Sequence, residues 1–327
     1  MKNVLIIGIN GQDGTYLTKL LSEKQYNVYG IIRENSNLKT NYLLKSLAEK
    51  NNIKIIEINI LKFEKIKKLI LKINPVEIYY LATTHELYLN KDNYDEAMSV
   101  NISGLINILE IAKNMLPSIK IFYASSSNVF AGSQLSPQNE NTIKIPKSLY
   151  GIAKLTAMNL IDLYKQEFNI FACYAILYNH ESTLRKKNFL PMKIVDAVVN
   201  IKFQSQKNLF LGSINDKRDW GWACDYVKAM WLMLQNNKPE NYLIGSGKLL
   251  TVKDILSYAF GYVDLNWEEY VVIDPSLVRE NDIVTLVADV SKIKKELNWT
   301  PSKKFQKVIE EMIDHEIKIR EFDFKKY

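Results

Sequence analysis

Short apolar runs alternate with helix-period segments through the first half of this 327-residue chain, and that alternation restricts the fold more than any other feature. Val4–Ile7, Val28–Ile32, Ile53–Ile58, Glu77–Leu81, Ile119–Ala124 and Phe171–Ile176 are each four to six residues long, suited to strands buried on both faces. Between them, the stretches near 13–25, 63–73, 101–116 and 150–168 are expected to be helices, several carrying apolar residues at i, i+3 and i+4. Repeated strand–helix–strand units predict an α/β fold, a Rossmann-type doubly wound parallel sheet. After about residue 178 the pattern turns irregular, apart from a helical tail near 304–321. The expected division is a Rossmann domain over 1–177 and a smaller, discontinuous C-terminal substrate-binding lobe over 178–327. Segments near 222–246 and 284–290 are expected to return to the sheet.

Gly8-Ile9-Asn10-Gly11-Gln12-Asp13-Gly14 follows the first strand and opens the first helix. Glycines there permit a tight turn, close approach of backbone to a pyrophosphate, and close packing of helix on strand, while the helix N-terminus offers unpaired N–H groups. A dinucleotide cofactor is the expected ligand. At the end of the second strand, Arg33 suits a 2′-phosphate and Glu34 a free ribose hydroxyl; NAD is preferred over NADP. Asn59-Ile60 follows the third strand, where an adenine edge is read; a merely polar strand end accounts for Asn59 equally well.

Tyr150 and Lys154 stand four residues apart, on one face of the expected helix. An ammonium beside a phenol lowers the phenol's pKa, making it a usable base near neutrality, and Ser126 can share a hydrogen bond to the same substrate oxygen. The net charge of +7 is scattered along the chain, without the arm or stripe of a nucleic-acid binder. Cys173 and Cys224 make no disulfide framework and, with three histidines, no metal spacing. No apolar run reaches membrane-spanning length, and a cytoplasmic protein is expected.

Longer segments carry a resemblance. Pro75-Val76-Glu77-Ile78-Tyr79, Tyr150–Lys154, Tyr178-Asn179-His180-Glu181-Ser182, Asn188-Phe189, Lys217-Arg218-Asp219-Trp220-Gly221 and the run from Asp225 to Gln235 resemble the extended short-chain dehydrogenase/reductases, and more closely the GDP-mannose 4,6-dehydratases. The similarity runs through nearly the whole chain. It implies Tyr150, Lys154 and Ser126 as catalytic residues, and Gly8, Asn10, Gly11, Gln12, Asp13, Gly14, Arg33, Asn59, Ile60, Leu81, Tyr150, Lys154 and Arg185 around the cofactor. It also implies His85, Asn179, Lys193, Arg218 and Arg279 as contacts to a GDP-sugar, the two arginines clamping the nucleotide. His180 and Glu181 are expected to be structural, holding the substrate loop. A homodimer or homotetramer is implied, built from the helices near 101–116 and 150–168.

One position departs from the family pattern. The dehydratases place a Glu two residues after the hydroxyl matched by Ser126; here Asn128 occupies it. In the family that Glu acts as base and acid when water is eliminated across C5 and C6, and an amide cannot take up and deliver a proton. The resulting expectation is an NAD-dependent enzyme that oxidises C4 of a GDP-manno sugar, GDP-mannose or a GDP-manno-heptose, for surface polysaccharide synthesis. The alternatives are a 4,6-dehydratase with a relocated base, His85 or Glu86; a C4 epimerase; and a non-catalytic cofactor-sensing module.

Overall fold

The computed structural model describes residues 1–34, 36, 41–51, 53–83, 94–278 and 285–324. Its first half is built from β1 (Asn3–Ile7), α1 (Gln12–Glu23), β2 (Asn27–Ile32), α2 (Tyr42–Lys50), β3 (Ile53–Glu57), α3 (Phe63–Ile73), β4 (Glu77–Tyr80), α4 (Tyr94–Asn101), α5 (Ser103–Met115), β5 (Lys120–Ala124), α6 (Leu149–Phe168) and β6 (Ala172–Leu177). The second half adds β7 (Asn179–Glu181), α7 (Leu190–Lys202), β8 (Leu209–Leu211), β9 (Lys217–Trp222), α8 (Ala223–Gln235), β10 (Tyr242–Ile244), β11 (Leu249–Thr251), α9 (Val252–Tyr262), β12 (Val271–Ile273), α10 (Ser291–Leu297) and α11 (Phe305–Phe324).

Among the described residues a seven-stranded sheet runs in the order β10-β6-β5-β4-β1-β2-β3, every neighbouring pair parallel. This is the doubly wound α/β sheet expected from the alternation. Side chains on successive strand residues face opposite ways. Leu5 and Ile7 of β1 therefore join a core with α3, α5 and α6, while Val4 and Ile6 join another with α1 and α8. A strand covered on both faces has no polar side, which is why β4, β5 and β6 read as continuous apolar runs. A third core lies in the second half, where α7, α9 and α11 pack their apolar faces together.

The helix expected near 101–116 is α5, and α4, which the pattern did not announce, precedes it across Ile102. Two expectations need correction. The second half is more regular than its pattern suggested, with α7, α8 and α9 each 11 to 13 residues long. Residues 242–244 supply the seventh strand beside β6, but the described residues 285–290 add no strand to that sheet. Leu286 bridges to Arg218 and Ala288 to Gln138, so that segment ties β9 to the loop before α6.

Candidate active site

The turn between β1 and α1 is closed by Gly11 N–H donating to the Gly8 carbonyl at 3.1 Å. Gly8 sits at φ +92°, a region L side chains avoid, and a Cβ on Gly14 would lie 2.4 Å from the Gly8 oxygen. The glycines thus let α1 begin directly against the strand end. Gly11 occupies the N-cap, and no side chain among the described residues caps that helix end. Unclaimed N–H groups at the positive end of a helix dipole fit a pyrophosphate. Asn10 lies in the same turn, its carbonyl accepting from Asn41 Nδ2 at 3.1 Å.

Other expected cofactor contacts are distributed unevenly. Arg33 is exposed at the C-terminal end of β2. Leu81 N–H donates to the Ile7 carbonyl at 2.9 Å, which places it beside the glycine turn. The Asn59 carboxamide oxygen accepts from Leu61 N–H at 2.9 Å, so it caps its own turn. The Ile60 side chain belongs to the core, and its carbonyl accepts from Asn107.

Gln12 and Asp13 face the second half of the chain. Both Asp13 oxygens lie 3.0 Å from His180 Nε2, while Gln12 donates to the His180 carbonyl at 3.0 Å and accepts from Ser182 Oγ at 2.7 Å. Arg185 donates through Nε to Glu181 at 2.7 Å and through Nη2 to the His180 carbonyl. His180 also stacks on Tyr226, with centroids 4.3 Å apart. The first helix is therefore fastened to β7 and the loop after it through His180 and Ser182, while Glu181 holds Arg185. Spacing could not reveal this network, because its halves are 167 residues apart.

Burial pushes the Asp13 carboxyl up, but the charge and hydrogen bond of His180, then Arg185 and Gln12, hold it below the usual carboxylate value. A depressed folded pKa stabilises the fold above the unfolded value of about 3.9, and that contribution disappears as pH falls through the lower folded value. Asp13→Asn is therefore expected to be less stable than wild type at pH 7. The gap should narrow progressively below about pH 4. Urea midpoints across that range test it, and a gap independent of pH would show that the ionised carboxylate is not the source.

The Tyr–Lys pair stands at the start of α6. Ser148 caps the helix by accepting from Gly151 N–H at 3.1 Å. A Cβ on Gly151 would fall 2.9 Å from the Asn128 carbonyl, so only glycine lets the helix press against the turn that carries Ser126 and Asn128. Tyr150 and Lys154 are both buried. Lys154 Nζ donates to the Ala124 carbonyl at 2.8 Å and lies 5.6 Å from the centre of the Tyr150 ring. Burial pushes its ammonium down to about 7. Ser126 Oγ accepts from the Asn128 backbone N–H at 3.3 Å and from Asn128 Nδ2 at 3.1 Å. The hydroxyl, the amide and the Tyr–Lys pair are thereby gathered at the C-terminal end of β5.

Asn179, Lys193 and Arg218 belong to the second half. Asn179 Nδ2 reaches the Asp219 carbonyl at 3.4 Å, and exposed Lys193 donates to the Phe210 carbonyl at 2.9 Å. Arg218 Nη1 donates to the Lys217 carbonyl at 2.9 Å. Next to it, buried Asp219 accepts from Ser246 N, Ser246 Oγ, Gly247 N and Ala288 N at 2.6–3.1 Å. Asp219 thus pins two loops around the arginine, a role sequence reading did not assign. His85, Glu86 and Arg279 lie outside the described residues. No helix among the described residues is long and apolar enough to cross a membrane, and none of their His, Cys, Asp and Glu form a group able to hold a metal.

A doubly wound sheet with a glycine turn after its first strand and a buried Tyr–Lys pair beside its fifth is the arrangement of a short-chain dehydrogenase/reductase. More specifically, the chain belongs to the GDP-mannose 4,6-dehydratase family, whose model matches residues 5–312. It is 37% identical to GDP-mannose 4,6 dehydratase 1 of Arabidopsis thaliana, across 97% of this chain and 90% of that one. It is 33% identical to the human GDP-mannose 4,6 dehydratase, across 96% and 91%. In fold it is similar to dTDP-glucose 4,6-dehydratase from Bacillus anthracis, solved in complex with NAD, at a TM-score of 0.83, 20% identity and 98% coverage of each chain.

Proposed function

We propose that this chain is an NAD-dependent oxidoreductase that oxidises C4 of a GDP-linked sugar of manno configuration, GDP-mannose or a GDP-manno-heptose, and releases the GDP-4-keto sugar. The observation that carries this reading is the Asn128 carboxamide, bonded to Ser126 Oγ beside the Tyr–Lys pair, where it offers no group able to carry a proton. The cofactor is held by the N-terminus of α1 with Gly8, Asn10, Gly11, Gln12, Asp13 and Gly14, and by Arg33, Asn59, Ile60, Leu81, Arg185, Tyr150 and Lys154. When bound, it supplies the two-electron acceptor for C4. Tyr150 takes the C4 hydroxyl proton, Ser126 shares a hydrogen bond with that oxygen, and the Lys154 charge favours the phenolate. Asn179, Lys193 and Arg218 hold the sugar nucleotide.

Arg218→Ala is expected to weaken GDP binding by about 10–150-fold, the loss of charge-assisted bonds to a phosphate. Calorimetric titration with GDP measures it, and unchanged affinity would remove Arg218 from the nucleotide site. Exposed Ile152, Leu163 and Phe168 on α6 support assembly through that helix, as a homodimer or homotetramer. A role in surface polysaccharide synthesis rests on family analogy.

Family membership favours a second reading, complete 4,6-dehydration by a base placed elsewhere. Mass spectrometry of GDP-mannose and a GDP-manno-heptose after incubation with NAD⁺ separates the two. Loss of two hydrogens supports C4 oxidation, and loss of water supports dehydration. An unchanged mass with an altered C4 configuration would indicate epimerisation.

A further inference from the structure

We propose that Tyr123 is a positioning residue for the Tyr150–Lys154 pair: its ring face carries the Lys154 ammonium, and burial in β5, with a minor contact of its hydroxyl to Asn101, holds that ring in place. This rests on the reading of Tyr150 as the base. Tyr123 is fully buried in β5, one residue before the carbonyl that accepts from Lys154. Lys154 Nζ lies 4.7 Å from the centre of the Tyr123 ring, nearer than to that of Tyr150. This is within the range over which an ammonium is attracted to an aromatic face, and the attraction grows when water is excluded.

The surroundings of Lys154 leave little else to hold its charge. From β5 it meets the Tyr123 ring and the Ala124 carbonyl, and from its own helix the Tyr150 ring. Tyr80 of β4 stands behind, its ring 5.7 Å from that of Tyr123. Among the described residues no carboxylate pairs with Lys154, and burial lowers its proton affinity. An ammonium displaced to about 7 is balanced between its two forms at neutral pH, so a modest attraction decides whether Tyr150 has a cation beside it.

The ring has a further contact at its far end. Tyr123 OH lies 3.3 Å from Asn101 Oδ1, which Thr83 Oγ1 approaches at 3.4 Å. Asn101 is the last residue of α4, at the break before α5, and Tyr80 OH donates to the neighbouring Val100 carbonyl. The break between α4 and α5 thus anchors two adjacent tyrosines, one of which faces the lysine. Burial pushes the Tyr123 hydroxyl well above the usual phenol value, so its ring stays neutral and keeps an electron-rich face.

The test follows the ionisation of Tyr150 without turnover. Tyrosinate absorbance of each protein is titrated against the same protein carrying Tyr150→Phe, so that the difference isolates one of 19 tyrosines. Tyr123→Leu is expected to move that titration upward by about 0.5–1.5 pH units, because the lost face leaves Lys154 less charged beside the phenol. Tyr123→Phe keeps the face and should move it by only a few tenths. Fluorinated phenylalanines at position 123 keep the shape while weakening the face, and should raise the titration stepwise with each fluorine, even if the Leu variant folds poorly. A flat fluorine series, or a Phe variant displaced as far as Leu, would overturn the proposal. Normal GDP-mannose turnover by Tyr150→Phe would instead remove Tyr150 as the base, a separate outcome read by a separate assay.

Discussion

Tyr150→Phe is expected to oxidise GDP-mannose about 10²–10⁴-fold more slowly than the wild-type chain while binding GDP as tightly. The substitution removes one oxygen from a buried ring and leaves the helix, its Ser148 cap and the contact of Gly151 with the Asn128 turn in place. What disappears is the group that accepts the C4 proton, so the loss falls on kcat. Lys154→Met should be impaired similarly, because it removes the cation beside the phenol. Its effect is harder to assign, since it also strips the Ala124 carbonyl of a buried donor. Turnover and GDP titration measured on the same preparations provide the check. Near-normal oxidation by the Phe variant would take Tyr150 out of the proton-transfer role.

Asn128→Glu is expected to change the product itself, adding a measurable fraction of the 6-deoxy-4-keto sugar to the 4-keto sugar made by wild type. Once C4 is a ketone the C5 proton is acidified, but elimination still needs a base for that proton and an acid for the departing C6 hydroxyl. Asn128 offers neither. Its carboxamide already stands against Ser126 Oγ, in a turn fixed by the N-terminus of α6, so a carboxylate introduced there starts in a defined place. Glu is one methylene longer, and a base misplaced by about 1 Å loses about 10²-fold, which is why a partial conversion is expected. Dehydrated sugar from the wild-type chain would sink the C4-oxidase reading. Asn128→Ala, which adds no proton carrier, should leave the product at the ketone.

The parts of this fold legible in the sequence are those with a local signature. β1, its glycine turn and α1 announce themselves in eleven residues, and the six strands of the first half are short apolar runs between helix patterns. α7 does carry a helical period, with Lys193, Asp196 and Asn200 on its polar side, a signal that the expectation of an irregular second half passed over. β7, β8, β11 and β12 have three residues each, too few to show alternation. α2 spans only nine residues, and of its apolar positions Leu43, Leu44 and Leu47 only Leu44 is fully buried. In the site, Tyr150 and Lys154 are one helical turn apart and could be seen together. The contacts of Asp13 with His180 and of Lys154 with Tyr123 join distant segments, and only the folded chain places them side by side.

The position of β10 has a consequence for how the molecule comes into being. β6 ends at Leu177, but its outer neighbour ends at Ile244, and α8, which covers part of the same sheet, precedes that neighbour. A ribosome adding 5–20 residues per second takes roughly 3–13 s to cover the 67 residues from 178 to 244. Throughout that interval the hydrogen-bonding edge of an almost fully apolar strand stands open in the nascent chain, with Tyr79, Phe122 and Cys173 on a sheet face awaiting α8. An unpaired apolar edge invites pairing with another chain. Chaperone demand during synthesis should therefore peak in this window, and a chain ending at residue 177 should aggregate where the full-length chain does not.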